Sequence, residues 1–200
     1  MDDYPPVILA VINYNGREWL EGCLFSLLSA DYPNFKVVVI DNASRDGSVQ
    51  FIRDNFNRIE IIRNIRNRGF SGAANMGINI AIERTAKYIV LLNSDIKVSP
   101  NWLSELAKVA EGEEDIGISL PLHYDYSGDK LDPNLSKILD KNVQYLRNRD
   151  AGNLGERYEV TSAIGGCMMI RTSIIKKVGY MDSIYFAYGE DSDLDRKSVV

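Results

Sequence analysis

Asn93, Ser94 and Asp95 close the apolar run Tyr88-Ile89-Val90-Leu91-Leu92. A buried strand ending this way carries a carboxylate to the carboxyl edge of a sheet, where open α/β folds bind their ligands. Alone, Asn-Ser-Asp after a strand reads as a turn or a helix N-cap. Three companions in a set order raise its value. Asp41-Asn42-Ala43-Ser44 ends an earlier apolar run, Asn67-Arg68-Gly69-Phe70 opens a helical pattern, and Gly189-Glu190-Asp191 lies near the C-terminus. Together they predict a site for a nucleotide sugar, with a metal ligand and a general base.

Each residue type has a reason to be there. A nucleoside diphosphate sugar carries two phosphates, a ribose and a base. Its leaving diphosphate needs positive charge, commonly a hard divalent cation, and such cations take oxygen ligands. Mg²⁺ often uses one or two carboxylates plus substrate phosphates, so Asp95 can suffice. Asn93 could bond the ribose or orient Asp95; a plain strand-end turn is the alternative. Asp41 could accept from a base N–H or a ribose hydroxyl, whereas Ser44 and Asp46 could be capping the next helix. Gly69 and Gly72 permit close backbone approach, and the helix start behind them favours anions; a tight loop with helix–sheet packing is the alternative. Transfer to a hydroxyl also needs a base. Asp191 is the candidate and Glu190 the second, beside Tyr185, Phe186 and Tyr188, which could stack on a sugar. The alternative for the run Glu190 to Asp195 is a solvated helix start. His123, the one histidine, reads as a satisfied or exposed side chain rather than a ligand.

The elements that must hold these residues follow a rhythm. Residues 7–12 form a continuous apolar run that suits a strand buried on both faces. Trp19, Leu20, Cys23, Leu24, Leu27 and Leu28 then recur at helical spacing and are expected to face the sheet. Residues 35–40 make a second strand, followed by a helix with Val49, Ile52 and Phe56 on one side. Residues 59–62 make a third strand, and the helix from Gly69 gathers Ala74, Gly77, Ile78, Ala81 and Ile82. Residues 88–92 make a fourth. A helix entered through Pro100 then carries Trp102, Leu103, Leu106, Ala107 and Ala110, and residues 116–120 make a further strand. Such alternation means an α/β fold: a mostly parallel sheet with helices on both sides. Residues 123–159 break the rhythm with a polar, turn-rich stretch and one helix near 135–146. That stretch is expected to be mobile and to shape an acceptor site. Apolar residues return at Val160 and from Ile164 to Ile170, before a helix over Thr172–Val178.

Bulk properties exclude other classes. Two hundred residues fit one domain with a real core. The net charge of −5 leaves no basic footprint for nucleic acid. Arg58, Arg63, Arg66 and Arg68 do cluster beside the glycine-rich turn, where they could meet a phosphate; for Arg58 and Arg63 a solvated face is the alternative. Cys23 and Cys167 stand far apart, which argues for a reduced, cytosolic chain rather than a disulfide scaffold. Cys23 falls on an apolar stripe and reads as core. The acidic N-terminus lacks a signal-peptide pattern, and no apolar stretch could span a bilayer. A soluble chain is expected, with peripheral contact at the inner face of a membrane left open.

The motifs also have a family character. Val11-Ile12-Asn13-Tyr14-Asn15-Gly16, the stretch from Val39 to Ser48, Asn64 through Gly69 to Asn75-Met76-Gly77, Leu91 to Asp95, Gly165 to Arg171 and Gly189 to Leu194 occur in order along the whole chain. This resembles family 2 glycosyltransferases of the GT-A fold, especially the rhamnosyltransferase-like branch. The resemblance implies one domain over residues 1–200, with a Rossmann-like nucleotide-sugar half (1–122) and an acceptor half (123–200). It implies nucleotide-sugar contacts from Asn13, Asn15, Asp41, Ala43, Arg68, Gly69, Asn75, Asn93, Ser94, Asp95 and Gly166, with Mg²⁺ or Mn²⁺ on Asp95. Asp41 would read the base, Asp191 would be the catalytic base, with Glu190 beside it, and transfer would proceed with inversion. The donor would be UDP-, dTDP- or GDP-linked and the acceptor a saccharide or a lipid-linked one, as in cell-envelope polysaccharide assembly. Family members usually continue past the Glu-Asp pair with a helix, a strand and often a histidine-containing loop, so the acceptor half is expected to be truncated. The alternative is a nucleotide-sugar-binding module without turnover. A nucleotidyltransferase would want a glycine-rich, basic loop where Asn13-Tyr14-Asn15-Gly16-Arg17 stands. A dinucleotide oxidoreductase would want Gly-x-Gly-x-x-Gly, which does not follow the first run.

Overall fold

The computed structural model describes residues 4–150, 152, 157–160, 162–163, 166–191 and 193–194. Its sheet has six strands in the order β3-β2-β1-β4-β6-β5. These are β1 (Val7–Asn13), β2 (Phe35–Asp41), β3 (Glu60–Arg63), β4 (Tyr88–Asn93), β5 (Ile118–Ser119) and β6 (Cys167–Arg171). β1 to β4 run parallel, and β6 runs antiparallel to both β4 and β5. The expected parallel α/β sheet is therefore present, with one reversed strand near its edge.

Period-two burial explains the two-sided packing. On β1, Val7, Leu9 and Val11 join one core with Leu20, Leu24, Leu27, Ile52, Leu103 and Leu106. Ile8, Ala10 and Ile12 join the other with Ala74, Ile78, Ala81 and Ile175. Helices α1 (Arg17–Leu28), α2 (Ser48–Asn55) and α4 (Trp102–Gly112) thus cover one face, and α3 (Gly69–Glu83) and α7 (Thr172–Val178) the other. A Cβ on Gly77 would lie 2.6 Å from that of Ala10, so this glycine lets α3 sit close on β1.

Several boundaries differ from expectation. Trp19 and Leu28 are 39% and 44% exposed. Leu20, Cys23, Leu24 and Leu27 already fill the stripe, and Trp19 sits about 100° around the helix from Leu20. Pro100 precedes α4, with Asn101 at its N-cap. The fifth strand shrinks to Ile118–Ser119. The single helix expected near 135–146 is two, α5 (Pro133–Leu139) and α6 (Val143–Asp150). Asp132 caps α5 by accepting from the amides of Asn134 and Leu135, with Pro133 in the first turn. Ile164 and Gly165 lie outside the described residues, as do residues 195–200.

The topology creates the site. The chain winds from β1 outward to β3, then returns to place β4 on the other side of β1. That reversal opens a crevice at the carboxyl ends of β1 and β4. Register sets the residues there: Asn13 pairs with Asp41, Ile12 with Asn93, and Leu92 with Cys167. Among the described residues, no helix is long and apolar enough to cross a membrane.

Candidate functional site

Asp41 is the most constrained member. Its carboxylate is fully buried. Oδ1 accepts from Asn13 Nδ2 at 3.0 Å, and Oδ2 accepts from the Ser44 amide at 3.1 Å. Arg63 Nε lies 3.8 Å from Oδ2 and its guanidinium also reaches the Ser44 carbonyl, so Arg63 is not merely a solvated charge. Asn13 Nδ2 also donates to Ser44 Oγ, which in turn accepts from the Asn15 amide. Buried Asn13 Oδ1 has no partner, an acceptor left open between the Asp41 loop and Ser94. A Cβ on Gly16 would meet Ser94 Oγ at 2.5 Å and Asn13 Oδ1 at 2.6 Å, which places all three side by side.

The adjoining loops are strained or tied. Asn15 and Ala43 have φ of 52° and 69°, a left-handed conformation that costs an alanine energy. Asn15 Oδ1 accepts from the Arg45 amide. Asp46 does the capping work, accepting from Ser48 and from the Arg17 amide, while Ser44 belongs to the Asp41 cluster. Asn42 was not singled out from sequence as a site residue, yet it organises the next loop. Its Nδ2 donates to the Gly69 carbonyl, and its Oδ1 accepts from Asn64 Nδ2 and the Arg68 amide.

Asn93 ends β4, and Ser94 and Asp95 turn outward from it. The Asn93 amide donates to the Gly166 carbonyl at 3.1 Å, so Gly166 sits against the motif through its backbone. Asp95 is exposed. Among the described residues, no three His, Cys, Asp or Glu side chains gather into a metal-holding group. The described residues thus offer no all-protein cage, but one exposed carboxylate fits a cation that takes its other ligands from phosphates and water. Buried Cys23 lies beneath, its thiol 3.9 Å from the Asn93 carbonyl, and burial pushes that thiol up to about 12.

At the start of α3 the geometry is that of the tight-loop alternative: three successive amides are engaged by the chain itself. Arg68 N donates to Asn42 Oδ1, Gly69 N to Asn67 Oδ1, and Phe70 N to the Phe186 carbonyl. Gly69, at φ 72°, is where the Phe186 carbonyl comes closest, and a Cβ would collide with it. Asn75 donates to the Met181 carbonyl and accepts from its amide. In this structure Gly69 and Asn75 therefore hold the segment preceding Glu190. The Arg68 side chain is exposed.

Glu190 and Asp191 begin a helical turn just after Tyr188 and Gly189, which have φ of 70° and 100°. Glu190 is 5% exposed, which rules out a freely solvated helix start for it. Burial, with some help from the Asp191 charge, raises its carboxyl above the usual range. Asp191 is half-buried. His123 is partly buried and partly satisfied: its ring packs against Gly166 and has a hydrogen bond with the Cys167 backbone, while its buried Nε2 has no partner. Burial lowers its pKa, partly offset by the Asp132 charge.

A family model described as glycosyl transferase family 2 matches residues 8–179. The chain belongs to that family. Its curated relatives include glycosyltransferase GlyG of Streptococcus pneumoniae, 28% identical over 152 residues, covering 70% of this chain and 48% of the relative. The low-salt glycan biosynthesis hexosyltransferase of Haloferax volcanii is 26% identical over 186 residues, covering 92% and 58%. The chain spans about half the length of these relatives. Among solved structures, a mannosyltransferase from Pyrobaculum calidifontis in complex with GDP-Man and Mn²⁺ superposes with a TM-score of 0.73 at 18% identity, covering 98% of this chain and 52% of that one. TarS of S. aureus in complex with UDP-GlcNAc gives 0.69 at 19%, covering 96% and 53%. These likenesses establish a GT-A-type fold.

Proposed function

We propose that this chain supplies the donor site and catalytic base of an inverting glycosyltransferase that acts in polysaccharide or other glycan assembly. The observation that carries this reading is the meeting, at one sheet edge, of the Asn13–Asp41–Ser44 cluster and the Asn93-Ser94-Asp95 turn. Asp41 and its neighbours would read the nucleotide. Asp95 would hold Mg²⁺ or Mn²⁺, which when bound neutralises charge building on the leaving diphosphate. Residues 1–122 would form the donor half and 123–200 the acceptor half.

Asp191 would take the proton from the acceptor hydroxyl as its oxygen attacks the anomeric carbon from the face opposite the diphosphate. One displacement of this kind inverts the anomeric centre. Burial of neighbouring Glu190 favours the neutral form of its carboxyl. The aromatic segment Tyr185, Phe186 and Tyr188 would wall the acceptor; Phe186 and Tyr188 are 59% and 90% exposed. The acceptor itself would be a saccharide or a lipid-linked saccharide.

Two steps test the reading. Calorimetry with UDP-, GDP- and dTDP-hexoses, with and without Mn²⁺, reports the donor; the dTDP arm addresses the rhamnosyltransferase-like resemblance. Nucleoside diphosphate release is then compared for the parent and Asp191→Asn. The variant is expected to bind donor normally and to lose about 10²–10⁴-fold in turnover, the scale of a removed acid–base group. Binding without any turnover in the parent would instead assign the chain to a nucleotide-sugar-binding module. Parent-level turnover in Asp191→Asn together with its loss in Glu190→Gln would move the base to Glu190.

A further inference from the structure

Ser71, Asn75 and Asn79 recur every four residues on α3 and so share one face of the helix. Each takes a partner from the segment that leads to Glu190, in reverse order along the chain. Ser71 Oγ donates to the Tyr185 carbonyl. Asn75 bonds both the carbonyl and the amide of Met181, at 2.8 and 3.0 Å. Asn79 Oδ1 accepts from the Tyr180 hydroxyl at 2.6 Å. The Phe70 amide adds a fourth tie, to the Phe186 carbonyl at 2.7 Å. Residues 180–186 are thereby laced antiparallel onto the first three turns of α3. The lacing stops just before Tyr188 and Gly189, whose left-handed backbone turns the chain into Glu190.

We propose that Ser71, Asn75 and Asn79 are positioning residues for the catalytic carboxylate, acting through the 180–189 segment and touching no substrate. The proposal rests on the reading of Asp191 as general base. Segments between elements are ordinarily mobile. This one shows largely exposed side chains from 182 to 188, so backbone ties to a rigid helix are what can fix it. A carboxylate must be held in a near-attack geometry, and small displacements are costly to rate. Asn75 contributes most, because its amide pairs with both the N–H and the C=O of one residue and so sets direction as well as distance. The ladder also meets the nucleotide side, since Asn42 ties the Asp41 loop to Gly69 at the same helix start.

The test is a double-mutant cycle. Asn75→Ala is expected to lower turnover about 10- to 100-fold, measured as Mn²⁺-dependent nucleoside diphosphate release from UDP-GlcNAc or GDP-mannose, with donor KM within about twofold. In the Asp191→Asn background the same change is expected to cost less than about twofold, because the group it positions is already gone. Additive losses, or a loss confined to KM, would overturn the proposal. Amide exchange separates this failure from failure of the base assignment: Asn75→Ala should speed exchange across 181–189 even if Asp191 proves not to be the base. Unchanged exchange there would remove the ladder itself. Asn79→Ala, at an exposed position, provides a gentler second variant with the same expected pattern should Asn75→Ala fold poorly.

Discussion

Asp41 and Asp95 look alike in sequence, each an aspartate at a strand end, but they are different physical objects. Asp41 is sealed and satisfies Asn13 and the Ser44 amide. Replacing it with alanine leaves the Ser44 amide without an acceptor and Asn13 Nδ2 with Ser44 Oγ alone. Asp41→Ala is expected to lower unfolding stability by about 1–3 kcal/mol, read from the urea midpoint, in addition to any loss of nucleotide affinity. Asp95 is exposed, so Asp95→Ala should shift stability by less than about 0.5 kcal/mol while abolishing Mn²⁺-dependent nucleotide binding. Equal stability losses in the two variants would contradict this division. Glu190 adds a pH signature. Its folded pKa is raised, so its contribution to stability is fully present below the ordinary carboxylate pKa and is lost as pH rises through the raised value. Glu190→Gln removes that titration. The variant should gain relative to the parent as pH rises from about 4 to 8, and urea midpoints that keep a constant difference over that range would refute it. The identity of Asp41, Asp95 and Asp191 as candidates was legible from their positions after apolar runs. Burial was not: whether Asp41 faces solvent depends on Ser44, three residues on in the same loop, and on Asn13, 28 residues away, which meets it only through strand register.

At the scale of elements, strands and helices of the first half were legible because each apolar run or stripe has one sheet to pack on. Errors came where one signal served two purposes. Trp19 lies beside α1's apolar stripe but stacks edge-on with Tyr126 of the distant polar stretch, ring centres 5.4 Å apart. Within the stretch read as turn-rich, Asp132-Pro133 starts a helix, with Asp132 as its N-cap. Gly69 and Gly72 suited either an anion-binding helix start or a tight loop, and the Phe186 carbonyl on the Phe70 amide forms the loop. Polar side chains on α3 carry no periodic apolar signal, so the Ser71-Asn75-Asn79 face was visible only after Met181 and Tyr185 were seen on it. A pair of glycine replacements isolates the tertiary contribution. Gly47 and Gly69 both have left-handed backbone, with φ of 86° and 72°, but a Cβ on Gly47 meets nothing, whereas one on Gly69 meets the Phe186 carbonyl. Gly47→Ala should cost about 1–2 kcal/mol, the backbone penalty alone. Gly69→Ala should cost more than Gly47→Ala by chemical denaturation and should also loosen 181–189 in amide exchange. Equal costs would show that the 186 carbonyl moves aside freely.

At the scale of the whole molecule, two cores of unequal size divide the chain. The sheet and its helices share the two large clusters on either face, and β1 contributes alternate residues to both, so those clusters should open together. The segment carrying α5 and α6 has its own small cluster: buried Leu135, Leu139 and Tyr145, with Leu131, Leu146, Tyr158 and Val160 packed against them. Sequence legibly marked this stretch as a break in the α/β rhythm. It did not show that the break has a core, because a short helix with few apolar residues has too weak a period to count. Stability in such molecules is distributed unevenly, and a unit with few buried side chains opens first. The small cluster therefore predicts a separate opening unit. Leu139→Ala removes one of its three buried side chains, 1% exposed in the parent. In a fully packed core such a change costs about 2–5 kcal/mol. Here the cost should fall on local opening. Amide exchange across α5 and α6 should accelerate strongly in Leu139→Ala, while the slowest amides of β1 and β4 keep their parent rates. Leu91→Ala provides the contrast, since Leu91 lies in the sheet core and its loss should accelerate exchange in both regions as global stability falls. If Leu139→Ala instead slowed no segment and sped every segment alike, the α5–α6 region would be an integral part of one cooperative core. Its proposed role as an adaptable acceptor wall would then lose its physical basis, because a wall that opens only with the sheet cannot adjust to a saccharide at the cost of its own few contacts.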